Sequence, residues 1–127
     1  MQDKVVYEYA VIRVVPKVER EEFINVGLIL FSKRERFIRF EYHIPEEKIR
    51  AFCKEFDLEQ LKENLESFAK IVSGSKNSGP IAQMEADEKF RWITAVKSSS
   101  IQSSRPHPGF STDLNATFDK LYEELVK

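Results

Sequence analysis

Apolar positions in the first third of the chain either alternate with polar ones or run unbroken, and both patterns predict strands. Val5 to Val15 is rich in Val, Ile and Tyr and stops at Pro16. Val6, Ala10, Ile12 and Val14 share one face, and Tyr7, Tyr9, Val11, Arg13 and Val15 share the other. Both faces are largely apolar, which predicts a central strand. After the charged connection 17–22, Ile24 to Phe31 forms a second apolar strand containing Asn25 and Gly27. A glycine inside a strand marks a bulge more often than a ligand contact, and a bulge is expected here. Residues 33–36 make a polar turn. Phe37 to Ile44 then alternates, with Ile38, Phe40, Tyr42 and Ile44 inward and Arg39, Glu41 and His43 outward. Three strands joined by short links predict an antiparallel meander.

The period changes after Pro45, which suits the first turn of a helix. Ile49, Phe52, Cys53 and Phe56 then share one helical face. Asp57 and Gln60 have capping-box spacing for a second helix, striped by Leu58, Leu61, Leu65, Phe68, Ala69 and Val72 and stopped at Gly74. The stretch 73–80 reads as a surface loop. A third helix is predicted over about 83–96, with Ala86, Phe90, Ile93 and Val96 inward. A fourth is opened by Thr112 or Asp113 and striped by Leu114, Phe118, Leu121, Tyr122 and Leu125. Between these two, 97–111 has no stripe, and 99–103 has the composition of a short edge strand. The expected fold is therefore a single α+β domain over residues 1–127. It has an antiparallel three- to four-stranded meander sheet, helices packed on one face, and the other face partly wet.

Composition narrows the function. At 127 residues folding buries roughly two-thirds of the chain's surface, enough for a core without staples. Twenty basic against 21 acidic residues leave a net charge of −1, which argues against a generic polyanion or membrane-surface binder. Asp3, Lys4 and Glu8 interrupt any signal-peptide core. The longest uncharged apolar run, Phe23 to Phe31, is far short of the ~20 residues of a membrane span. Cys53 is the single cysteine, so no internal disulfide forms, and a cytoplasmic location is expected. With two histidines and no CxxC, neither a metal site nor a cofactor is expected. No phosphate loop or nucleophile elbow is present. Cys53 falls on an apolar stripe and reads as a buried, inert thiol rather than a partner for His107.

Three segments carry candidate chemistry. The connection 19–27 offers Arg20 as a planar fork for an oxyanion, beside Glu21 and the strand residue Asn25. Its plainer reading is a solvated charged turn. Arg13 sits among tyrosines in a central strand, where an unpaired charge is costly. Either Glu19, Glu21 or Glu41 pairs with it, or it anchors an anion. The third segment, 89–112, has no acidic residue in 24 positions but contains Lys89, Arg91, Lys97 and Arg105. Six of the eleven serines fall between Ser98 and Ser111, together with Gln102 and His107. Hydroxyls, amides, Arg and His together suit an anion, and a polar loop is the competing reading. The candidate ligand-binding set is Arg13, Arg20, Asn25, Arg91, Gln102, Ser103 and His107, with Glu21 and His107 as weak catalytic candidates. Trp92 lies off the stripe of its helix, either at a protein contact or covering the sheet edge.

The run Tyr7-Glu8-Tyr9-Ala10-Val11-Ile12-Arg13-Val14-Val15-Pro16, followed by residues 19–31, resembles the opening of the bacterial family DUF3037, a domain of unknown function. Gly79-Pro80-Ile81, Phe90-Arg91-Trp92-Ile93-Thr94-Ala95, Ile101-Gln102-Ser103-Ser104, His107 and Gly109 resemble the same family in the same order. Lys97-Ser98-Ser99-Ser100 is more serine-rich than its pattern. The resemblance implies a small cytoplasmic protein without an established activity. Its family members often occur beside genes for kinases similar to the HipA toxin kinase, so a HipA-like kinase is the implied partner. Three functions follow as expectations. The first is a non-enzymatic accessory or regulatory module that binds a protein. The second is an enzyme or binding protein for a phosphorylated or anionic small molecule or nucleotide, with Arg20 and Arg91 as anion stabilisers. The last, disfavoured by the charge balance, is single-stranded nucleic-acid binding through Tyr7, Tyr9 and Arg39.

Overall fold

A computed structural model of the protein describes residues 3–74, 79–95 and 100–127. Val96, where the third helix was expected to end, Lys97, Ser98, Ser99 and the middle of the 73–80 loop, residues 75–78, lie outside the described residues.

Strands β1 (Val5–Val14), β2 (Ile24–Ser32) and β3 (Phe37–Tyr42) form the predicted antiparallel meander. Two further strands, β4 (Ile101–Ser103) and β5 (His107–Ser111), pair in succession along the other edge of β1. The sheet thus has five strands, not three to four, and β1 is central, as its two apolar faces require. The 99–103 expectation becomes β4, while β5 hides behind Pro106, Pro108 and Gly109. An edge strand tolerates proline because one side of its ladder is unpaired.

Helix α1 (Glu46–Phe52) stops before Cys53 and Phe56, which were expected on its face, whereas α2 (Leu58–Ser73), α3 (Ala86–Ala95) and α4 (Leu114–Leu125) follow the predicted stripes. The Asp57 carboxylate accepts the Gln60 N–H at 3.0 Å to open α2, and Gly74 closes it in the left-handed region. Asp113 opens α4 in the same way, accepting the Ala116 N–H at 3.0 Å. On one face of the sheet Ile49, Leu61, Leu65, Phe68, Phe90 and Ile93 pack against Ala10, Ile12, Val14, Ile29, Phe31 and Phe40. On the other face α4 seats Phe118 on Val11, Leu28 and Leu30, with Tyr7, Tyr9 and Phe37 around it. The face expected to be partly wet therefore carries a helix, because its strand residues are too apolar to leave bare. Arg39, read as outward, holds that helix in place. Its guanidinium lies 4.2 Å from the Phe118 ring centre, 2.9 Å from Asp119 and 3.0 Å from the Asn115 side-chain oxygen, which accepts its N–H.

Two bulges flank β1 near one end. Ile12 pairs with Gly27 but Arg13 pairs with Asn25, so Val26 is the extra residue on β2. Its carbonyl accepts the His43 N–H at 2.8 Å. A Cβ on Gly27 would meet the Phe40 ring at 3.0 Å, so the glycine admits a close aromatic as well as the bulge. On the opposite edge, Tyr9 pairs with His107 and Ile12 with Ser103, leaving two residues of β1 against three. Ser104 fills that gap: its N–H donates to the Val11 carbonyl at 2.8 Å, and its hydroxyl accepts the Val11 N–H at 2.9 Å.

Candidate functional site

Directly opposed residues of antiparallel strands project to the same face. Gln102 on β4, Arg13 on β1 and Asn25 on β2 are opposed in one row, on the α4 side of the sheet and beyond both bulges. Bulges re-aim side chains, and they occur often beside sites. The backbone gathers three of the candidate residues here although they lie up to 89 positions apart.

The row is asymmetric in its partners. Asn25 donates its amide N–H to the Leu125 carbonyl at 3.0 Å, tying β2 to the last turn of α4. Arg13 has no such anchor. Its guanidinium lies 4.2 Å from the centre of the exposed Phe23 ring, and its Nε is buried without a hydrogen-bond partner. Among the described residues no carboxylate forms an ion pair with it. Of the three acids considered as partners, Glu41 bonds Arg39, and Glu19 and Glu21 are exposed in the turn before β2. Gln102, on the other flank, is exposed. Beside the row a shallow trough is lined by Phe23, Asn25, Lys48, Glu124, Leu125 and Lys127.

The remaining candidates are dispersed. Arg20 is exposed and ion-paired with Glu22. Glu21 follows it with φ at 58°, in the left-handed region. His107 shares the face of Arg13 but stands beside Tyr9, with ring centres 5.2 Å apart. Tyr9 and Val14, which pairs with Ile24 just after that turn, are about 16 Å apart along the strand, so the register does not set Glu21 and His107 side by side. Ser103 opposes Ile12 and so projects to the opposite face; its hydroxyl donates to the Ser104 carbonyl at 2.7 Å. Arg91 also belongs to that opposite side. On α3 it lines a cleft of about 130 Å³ with Val6, Glu8, Phe31, Lys33 and Asp87. The Lys33 ammonium lies 3.7 Å from Asp87 in this cleft. That volume holds a single ring-sized group, well below the ~300 Å³ of an ordinary small-molecule site. The segments 13–27 and 89–112 thus share one row, while Arg91 and Ser103 face away from it.

Lys89 is accounted for structurally. It is buried, and its ammonium donates to the Val72 carbonyl at 3.3 Å in the last turn of α2. Cys53 is half-buried and lies just past α1 as its C-cap, its backbone N–H donating to the Ile49 carbonyl at 3.0 Å. Among the described residues no group of three or more His, Cys, Asp or Glu is placed to hold a metal ion, and no helix is long and apolar enough to cross a membrane.

Sequence reasoning missed the apolar edge. Phe110 on β5 is 71% exposed and opposes Val6 on β1, itself 48% exposed. Both lie on the α3 side, next to the Arg91 cleft, but α3 does not cover them. Alternation along 107–111 was the available signal, obscured by its prolines and glycine. Trp92 on α3, 39% exposed, and Phe23, 44% exposed, are the other large surface aromatics among the described residues.

The chain matches the model of a family described as "Protein of unknown function (DUF3037)" over residues 9–126. No curated protein and no solved structure matches it. The chain belongs to the DUF3037 family.

Proposed function

We propose that this member of the family is a non-enzymatic accessory module that binds a protein partner through the β5 edge of its sheet. The observation that carries this reading is the Phe110–Val6 pair, an aromatic and an aliphatic side chain left in water on adjacent strands. Isolated exposed apolar residues are ordinary. A paired aromatic beside a cleft rimmed by Arg91, Lys33, Asp87 and Glu8 has the composition of an interface centre with a charged rim. The edge strand is also the part of the sheet with unpaired backbone groups. Catalysis gains no comparable support, since the two weak catalytic candidates are not set side by side. Nucleic-acid binding through Tyr7, Tyr9 and Arg39 is disfavoured because α4 packs over all three.

The family resemblance makes a HipA-like kinase the first partner to test, in a bacterial cytoplasm. Tagged protein would be used as bait in its native host, with and without its genomic neighbours, alongside Phe110→Ser. The reading expects a partner retained by the parent chain and lost by F110S. Retention by both, or by neither, overturns it.

A further inference from the structure

We infer that Arg13 is a carboxylate anchor, a site separate from the apolar edge. An arginine in a central strand ordinarily meets an acid or a set of carbonyls, because a half-buried charge without partners is costly. Arg13 meets neither among the described residues, and its Nε is buried and unbonded. The guanidinium carbon lies over the Phe23 ring, 4.2 Å from its centre, a cation–π contact that leaves the terminal nitrogen pair uncommitted. The adjacent Gln102 brings a side-chain amide to the same row, and Asn25 is held in place by the end of α4. A planar fork backed by an aromatic and flanked by an amide donor matches the two coplanar oxygens of a carboxylate.

The charge count selects the class of ligand. One guanidinium and one neutral amide balance one negative charge. The nearest cations in the adjoining trough, Lys48 and Lys127, share it with Glu124. A phosphate dianion would bring a second charge with no dedicated partner. The 24-residue stretch without acids supplies β4, so the strand beside Arg13 adds no repulsion to an incoming carboxylate. The ligand is therefore a monocarboxylate group, such as an acidic side chain, a chain terminus or a small organic acid.

Arginine side-chain NMR of the full chain tests this directly. Acetate is the probe, with chloride and inorganic phosphate added in parallel at matched ionic strength. The expected result is a saturable shift of the Arg13 Nε–H resonance and of the Gln102 side-chain amide with acetate alone. Gln102→Ala, an exposed substitution compatible with folding, should weaken the apparent affinity about three- to tenfold, the loss of one neutral hydrogen bond. Arg13→Gln should abolish the Gln102 response. A shift that chloride reproduces, or the absence of any saturable shift, overturns the site. A larger response to phosphate than to acetate overturns the carboxylate assignment. Neither result bears on whether Phe110 holds a protein.

Discussion

Gly109 is required by its neighbour rather than by its backbone angles. It opposes Tyr7, and a Cβ built on it would lie 2.4 Å from the Tyr7 hydroxyl oxygen. The phenol ring occupies the space a side chain would need. Gly109→Ala should therefore destabilise the protein by roughly 1–3 kcal/mol, seen as a lower urea midpoint with an unchanged slope. Tyr7→Ala in the same background should restore part of that loss, and strictly additive costs would show that the two do not compete for space. Ser104 makes a second single-residue argument. Its hydroxyl is the acceptor for the Val11 N–H inside the bulge, and Val11 is buried. Ser104→Ala leaves that donor unsatisfied, at a cost of about 1–3 kcal/mol, while Ser104→Thr keeps the acceptor. Faster hydrogen exchange at the Val11 amide in the alanine variant alone would locate the effect; unchanged exchange would refute it.

Between elements, α2 and α3 are joined by a charge placed where a helix end favours it. The Lys89 ammonium meets the Val72 carbonyl in the final turn of α2, where the partial negative charge of the helix accumulates. Lys89→Met keeps the length of the stem but removes the donor, and should cost about 1–2 kcal/mol. Thermal unfolding compared with Lys89→Gln checks this: an uncharged donor should recover only part of the loss. Lys89 also shows why site reading was harder than element reading. The helices announced themselves through 3.6-residue stripes and through caps such as Asp57 and Gly74, all local properties of the chain. The meander did so through Pro16, the 33–36 turn and the alternation of β3. In contrast, the acid-free stretch looked like one basic feature, yet it contains a residue that caps a helix and another, Arg91, on the opposite face from Arg13. Which face a residue reaches depends on the two bulges, and each is set by pairing with a distant strand. Gly27 hinted at one bulge. Nothing local to Ser104 announced the other, so the Gln102–Arg13–Asn25 row was legible as residues but not as a row.

Across the whole molecule, the central strand divides two environments along its length. Its first half, paired with β5, presents Val6 outward on the α3 side and Tyr7 and Tyr9 beneath α4; its second half carries Arg13 past the bulges. Stability at high pH tests how tightly α4 covers that second face. The phenol of Tyr7 ionises above its ordinary range because burial penalises the phenolate, with Tyr9 adding to the effect. Tyr122, on α4, is raised by burial first and then by Glu41 and Glu123. For both groups the folded state favours the neutral form. Their contribution is thus fully present below the unfolded tyrosine value of about 10 and is lost as pH rises through the higher folded values. Unfolding midpoints should hold level up to that value and then fall, and Tyr7→Phe with Tyr122→Phe should extend the plateau upward. In parallel, phenolate absorbance of the folded chain should rise later than that of the chain in denaturant. Coincident titrations would mean that α4 leaves these rings to solvent, and the two-faced sheet would lose its second core.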